Sequence, residues 1–151
     1  MLEAGSVIFV DTNVLLYSDE RKNVEKAGMA KSWLKALAKR RQATVNLQVL
    51  NELTDVLLRR KWFETPEQVF TISAGFAELG SRPLTSGEVG EARRLHLRYR
   101  YSWWDCLLLA SAIELGCTHF LSEDLQDGQR IDTLTIVDPF AHSPEQILIS
   151  R

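Results

Sequence analysis

Apolar residues along this chain fall into short continuous runs and longer periodic ones. Val7-Ile8-Phe9-Val10 is a continuous β-branched and aromatic run closed by Asp11, the pattern of a strand buried on both faces, as in a parallel sheet. Ala43 to Asn46, His119-Phe120-Leu121 and Leu134-Thr135-Ile136-Val137, the last closed by Pro139, read as further strands. Between them the apolar positions take helical spacing. Residues 23–41 carry Val24, Ala27, Trp33, Leu34 and Leu37 as a broad stripe. Residues 47–60 place Leu50, Leu53 and Leu57 on one face. Pro66 starts a helix to about Leu79, and Arg82-Pro83-Leu84 is a brief extended piece. Residues 86–98 open with Ser86 as the cap and Glu88 as the first-turn acid. Residues 103–115 are almost entirely apolar and stop at Gly116. The stretch after Pro139 receives no element.

Strands alternating with helices predict an α/β fold: a mainly parallel central sheet of four to five strands flanked by helices in three α/β/α layers. At 151 residues the chain is expected to be one domain, 1–151, with a core over about 6–140 and a short C-terminal tail. Its 18 basic and 20 acidic residues give a net charge of −2, which excludes a bulk polycation but permits local basic patches. Cys106 and Cys117 fall on one helix about 16 Å apart, too far for a disulfide, so both are expected to be buried free thiols. No signal peptide or membrane span is read, because Glu3 replaces the basic start and the apolar helix carries Glu114; a cytoplasmic protein is expected.

Ligands of open parallel sheets bind beyond the carboxyl ends of the strands. Asp11-Thr12-Asn13 follows the first strand and Ser122-Glu123-Asp124 follows the third. Glu52 lies in the helix after the second strand, and Asp105 opens the apolar helix. Each has an ordinary structural reading: Asp11 as an N-cap, Asp105 as a favourable first-turn acid, Glu52 as a solvated helix residue, Asp124 as a turn residue. Together they sit where this fold directs four carboxylates to one edge. Such a cluster requires a cation, and oxygen-only ligands select Mg²⁺ or Mn²⁺ over zinc.

With these residues the chain resembles the PIN-domain nucleases, and its length is similar to that of the VapC-like toxins of toxin–antitoxin pairs. Val-Ile-Phe-Val-Asp11-Thr12-Asn13 resembles the opening motif, and Asn51-Glu52-Leu53 the second. Trp104-Asp105-Cys106-Leu107-Leu108-Leu109-Ala110 resembles the third, and Leu121-Ser122-Glu123-Asp124 the fourth. Successive acids are separated by 41, 53 and 19 residues, which fits a compact member. The resemblance implies one or two Mg²⁺ or Mn²⁺ ions held by Asp11, Glu52, Asp105 and Asp124, with Thr12, Asn13 and Ser122 as supporting polar groups. It implies hydrolysis of RNA phosphodiesters by activated water, leaving 5′-phosphate and 3′-hydroxyl ends. It also implies a homodimer and a small antitoxin partner. Asp127 reads as a solvated turn residue or a more distant acid, and His96, His119 and His142 match none of the motifs.

Arg93, Arg94, Arg98 and Arg100 form a basic stretch running into Asp105, suited to RNA phosphates. Arg59 and Arg60 equally serve a helix C-terminus. Trp103 and Trp104 read as core or interface in preference to base platforms, and Met29 and Trp33 as core. Two other readings are weaker. A haloacid-dehalogenase-like phosphatase needs a second Asp where Asn13 stands. A catalytically inactive PIN scaffold binding RNA or protein would lack acids that are present here. Dinucleotide binding fails for want of a Gly-rich turn after the first strand.

Overall fold

The computed structural model describes residues 6–148. In chain order the elements are β1 (Ile8–Val10), α1 (Thr12–Ser18), α2 (Val24–Arg40), β2 (Ala43–Thr44), α3 (Leu47–Arg60) and α4 (Pro66–Phe76). A 3-10 turn over Ala77–Leu79 follows, then α5 (Ser86–Tyr99), α6 (Trp103–Glu114), β3 (His119–Leu121), β4 (Arg130–Ile131), β5 (Leu134–Val137) and α7 (Pro144–Ile147). These residues divide into two compact units. One comprises the described chain up to Thr44 and from Ala112 onward; the other is Val45–Ser111.

The first unit holds the sheet, in the order β2-β1-β3-β5-β4. All pairings are parallel except β4 with β5. Ile8, Phe9 and Val10 are all buried, as their unbroken apolar run requires of a strand covered on both faces. Phe9 and Phe120, opposite each other on β1 and β3, stack with ring centroids 5.2 Å apart. The register pairs Val10 with Leu121 and Leu121 with Val137, so β1, β3 and β5 end level with one another. One further rung on each side extends this order: the Asp11 N–H donates to Leu121 O and the Ser122 N–H to Val137 O, both at 3.0 Å.

Helix α2 packs against α1, β2 and α7. Its Trp33 is 1% exposed, and the indole N–H is shared between the carbonyls of Pro139 and His142 at 3.0 and 2.9 Å. These bonds tie the segment before α7 to the helix. Met29, expected in the core with Trp33, is 37% exposed instead and lines a groove beside that segment.

The second unit contains α3, α4, α5 and most of α6. α3 buries Val49, Leu50, Leu53 and Leu57 and packs on α4. Cys106–Ala112 of α6 are all buried, as a helix without a polar face must be. Cys106 and Cys117 are both buried free thiols, but Cys117 lies past the end of α6 at Glu114 and not on one helix with Cys106 as expected.

Several local expectations are corrected. The cap of α5 is Thr85, one residue before Ser86, in a capping box with Glu88. Residues 82–84 form no strand; the Arg82 carbonyl accepts from the Leu47 N–H. The helix from Pro66 tightens to 3-10 geometry before Leu79. Helices α1 and α7 and strand β4 occupy stretches assigned no element from sequence. Among the described residues no helix is long and apolar enough to cross a membrane.

Candidate active site

The level ends of β1 and β3 decide what can meet at the sheet edge. Asp11 leaves β1 and caps α1: its Oδ1 accepts the Thr12 N–H at 2.7 Å. The same carboxylate accepts the Ser122 hydroxyl on Oδ2 at 2.7 Å. The N-cap reading and the site reading of Asp11 are therefore compatible, one oxygen serving each. Ser122 is fully buried, and its Oγ also accepts the Asp124 N–H at 3.1 Å.

Asn13, in the first turn of α1, completes the arrangement. Its Nδ2 lies 3.1 Å from Asp11 Oδ2, 3.1 Å from Ser122 Oγ and 3.0 Å from Asp124 Oδ2. Its Oδ1 accepts the Glu123 N–H at 3.3 Å, which fixes the orientation of the amide. A polarised N–H₂ group thus sits among three oxygens, two of them from carboxylates. The donor set is all oxygen and suits a hard cation.

The loop carrying Asp124 is anchored through its neighbour. Lys26 of α2 pairs with Glu123, and its Nζ lies 4.9 Å from the Tyr17 ring centroid and 4.8 Å from that of Phe140. The two rings meet edge to face at 5.0 Å. The hydrogen bond with Glu123 is the main reason that the Tyr17 phenol lies above its ordinary pKa, and it raises Lys26 as well. Glu123 is thereby held by α1 and α2 while Asp124 meets Asn13. Nothing in the linear pattern singled out Lys26 or Glu123; their meeting depends on sheet register and helix placement.

The other two predicted acids belong to the second unit. Glu52 is half-buried on α3, where its Oε1 accepts from Gln48 Nε2 at 3.1 Å. Asp105 lies in the first turn of α6, where its Oδ2 accepts from Ser102 Oγ at 2.9 Å and its N–H donates to the same oxygen at 3.2 Å. Among the described residues, no three His, Cys, Asp or Glu side chains stand together as a metal-holding group. The side chains drawn together at the sheet edge are Asp11 and Asp124, bridged by Ser122 and Asn13.

Asp127 takes a structural place. It accepts the Asp138 N–H at 2.9 Å and meets His142 Nε2 at 2.7 Å. Partial burial pushes its carboxyl up, but the Asp138 N–H and His142 outweigh that, so its pKa lies below the ordinary value. Arg93, Arg94, Arg98 and Arg100 are all exposed around the end of α5. Arg94 is held by Glu91 through Nε at 2.7 Å, Arg98 lies 5.5 Å from the Tyr99 ring, and Arg100 is the left-handed C-cap. Trp104 is 63% exposed, so it is not the core side chain that the sequence allowed.

The fold is of the α/β class with a mainly parallel sheet, and comparison with known proteins gives it a family. Residues 8–132 match the PIN domain model, and the chain belongs to the PIN domain family. No curated protein matches it by sequence. Solved structures that share its fold include the following three. A toxin–antitoxin complex from Klebsiella pneumoniae aligns with TM-score 0.66 and 18% identity over 89% of this chain and 98% of its own. VapBC2 of Rickettsia felis, bound to promoter DNA, aligns with 0.64 and 17% over 86% and 96%. VapC20 of Mycobacterium tuberculosis, a toxin that cleaves the sarcin–ricin loop, aligns with 0.60 and 19% over 75% and 86%.

Proposed function

We propose that this chain is a divalent-metal-dependent endoribonuclease and the toxin of a toxin–antitoxin pair. The observation that carries the reading is the pairing of Asp11 with Asp124 around Asn13 Nδ2 at the carboxyl ends of two parallel strands, in a chain of the PIN domain family. Its fold is shared with toxins of such pairs, one of which cleaves RNA in the sarcin–ricin loop.

Asp11 and Asp124 would hold the ion directly, with Glu52 and Asp105 as the further carboxylates. Bound Mg²⁺ or Mn²⁺ would supply a Lewis acid for a phosphoryl oxygen and lower the pKa of water. Ser122 keeps Asp11 Oδ2 in place by donating to it, and the Asp124 N–H keeps Ser122 in place. Asn13 supplies a donor that offsets the repulsion of the two carboxylates before a cation arrives. Arg93, Arg94, Arg98 and Arg100 would contact RNA phosphates, and the attached salt dependence would follow from released counterions. A small antitoxin and a second copy of the chain are the expected protein partners, and the cytoplasm the expected compartment.

The test is cleavage of RNA by wild type and by Asp11→Asn, each in EDTA and in added Mn²⁺. The expected result is cleavage only by wild type with Mn²⁺. Cleavage that persists in EDTA and in the variant would overturn the reading.

A further inference from the structure

A cavity of about 420 Å³ opens on the second unit and is lined in part by Leu47, Asn51, Glu52, Asp55, Leu84 and Trp104. Its volume lies in the range of about 300–1,000 Å³ typical of small-molecule sites. Trp104 immediately precedes Asp105 in α6, and Glu52 is itself part of the lining, so the cavity adjoins two of the proposed catalytic acids in the chain. Trp104 and Leu47 are 63% and 39% exposed. Both leave apolar surface open on the wall of the cavity.

The chemistry of the lining narrows the occupant. No Lys or Arg lines the cavity among the described residues, and two carboxylates do. A phosphate would be repelled there. A flat, uncharged group with hydrogen-bond donors on its edge would suit it, stacked on the indole and read by the Asn51 amide and the Asp55 carboxylate. An unpaired nucleobase has that shape and that edge, and aromatic stacking of splayed-out bases is how proteins take single-stranded RNA.

We infer that the Trp104 cavity is a nucleobase subsite that stacks one unpaired base of the RNA. The inference rests on the ribonuclease reading for its ligand, while its geometry stands on the second unit alone. It makes the chain selective for single-stranded or looped RNA, because a base held in a duplex cannot reach the indole.

The experiment uses the intact chain in EDTA, so that binding is read without cleavage. The probe is a short 2′-O-methyl oligoribonucleotide carrying 2-aminopurine, whose fluorescence falls on stacking, with its blunt duplex as competitor. Wild type and Trp104→Phe should quench the probe. Trp104→Ala should bind roughly tenfold more weakly, the scale of one lost stack. The duplex should not compete. Unchanged binding by Trp104→Ala overturns the inference, as does equal competition by the duplex or failure of wild type to quench. A drop from dimer to monomer in Trp104→Ala with binding intact would assign the surface to a second copy of the chain and overturn it too. Binding through Trp104 without any Mn²⁺-dependent cleavage would uphold the subsite and sink the proposed function instead. Cleavage by wild type with binding indifferent to Trp104 would do the reverse.

Discussion

Asn13 and Asp124, 111 residues apart in sequence, meet through Nδ2 and Oδ2 at 3.0 Å. The same amide reaches Asp11, so one side chain joins the acids that follow two different strands. An amide can do this because its two N–H bonds carry partial positive charge without the desolvation cost of a full ion. The bridge gives the edge a defined geometry and makes specific demands on each participant.

Replacing Asn13 by Asp turns the donor into a third acceptor among carboxylate oxygens. In EDTA the variant should be less stable by about 1–3 kcal/mol, the scale of leaving a polar group without its partner. Mn²⁺ should recover more stability in the variant than in wild type, since binding to the folded state alone raises its stability by linkage. Thermal melts with EDTA and with Mn²⁺ measure both effects. An EDTA melting temperature equal to that of wild type would count against the bridge.

Ser122→Ala removes the donor to Asp11 Oδ2 and the acceptor of the Asp124 N–H. Groups that orient metal ligands typically contribute about 10–100-fold to metal affinity or activity. The expected signature is a higher Mn²⁺ concentration for half-maximal cleavage, read from a metal titration at fixed RNA. A lower maximal rate with an unchanged metal midpoint would show that Ser122 does not orient the acids.

Asp127 should make the fold sensitive to acid. Its pKa is lowered in the folded state, so the carboxylate stabilises the protein above the ordinary value of 3.8. That contribution is lost as pH falls through the lower folded value. Asp127→Asn should therefore melt below wild type at neutral pH, with the gap closing as pH falls below 3.8 and through the lower folded value. A gap that persists unchanged into acid would show that lost packing, not charge, is responsible.

Burial pushes the Cys106 thiol up to about 11, with the Asp105 charge adding to it, and the Cys117 thiol up to about 12. Both should stay protonated and unreactive in the native protein at mildly alkaline pH. Iodoacetamide should label neither until denaturant is added, as read by mass spectrometry. Rapid native labelling of Cys117 would contradict its burial.

Elements with strong one-dimensional patterns were legible in the sequence, and weaker ones were not. α3 spans Leu47–Arg60 and β3 spans His119–Leu121, as their patterns predict. β1 follows from an apolar run that only a doubly covered strand tolerates. α1 escaped notice because its seven residues complete barely two turns after the strand, too few to establish a period. β4 has two residues and owes its place to the hairpin with β5, where Asp132 takes a left-handed φ of 54°. The Thr85 cap lay one residue before the expected Ser86, since both hydroxyls suit the role and only the Glu88 reach-back selects between them.

By itself the sequence determined that buried parallel strands end in acids, because hydrophobic burial is proportional to apolar surface and repeats with the period of the element. It named Asp11, Glu52, Asp105 and Asp124 as the acids, with Thr12, Asn13 and Ser122 as supporting polar residues. Only the tertiary structure decided that Asn13 bridges Asp11 to Asp124, that Lys26 restrains Glu123, and that Trp104 faces solvent. Those relationships depend on strand register and helix placement across more than 90 residues of chain. Local patterning carries no term for such distances, so the same residues read singly as caps, turns and core until the sheet aligned its strand ends.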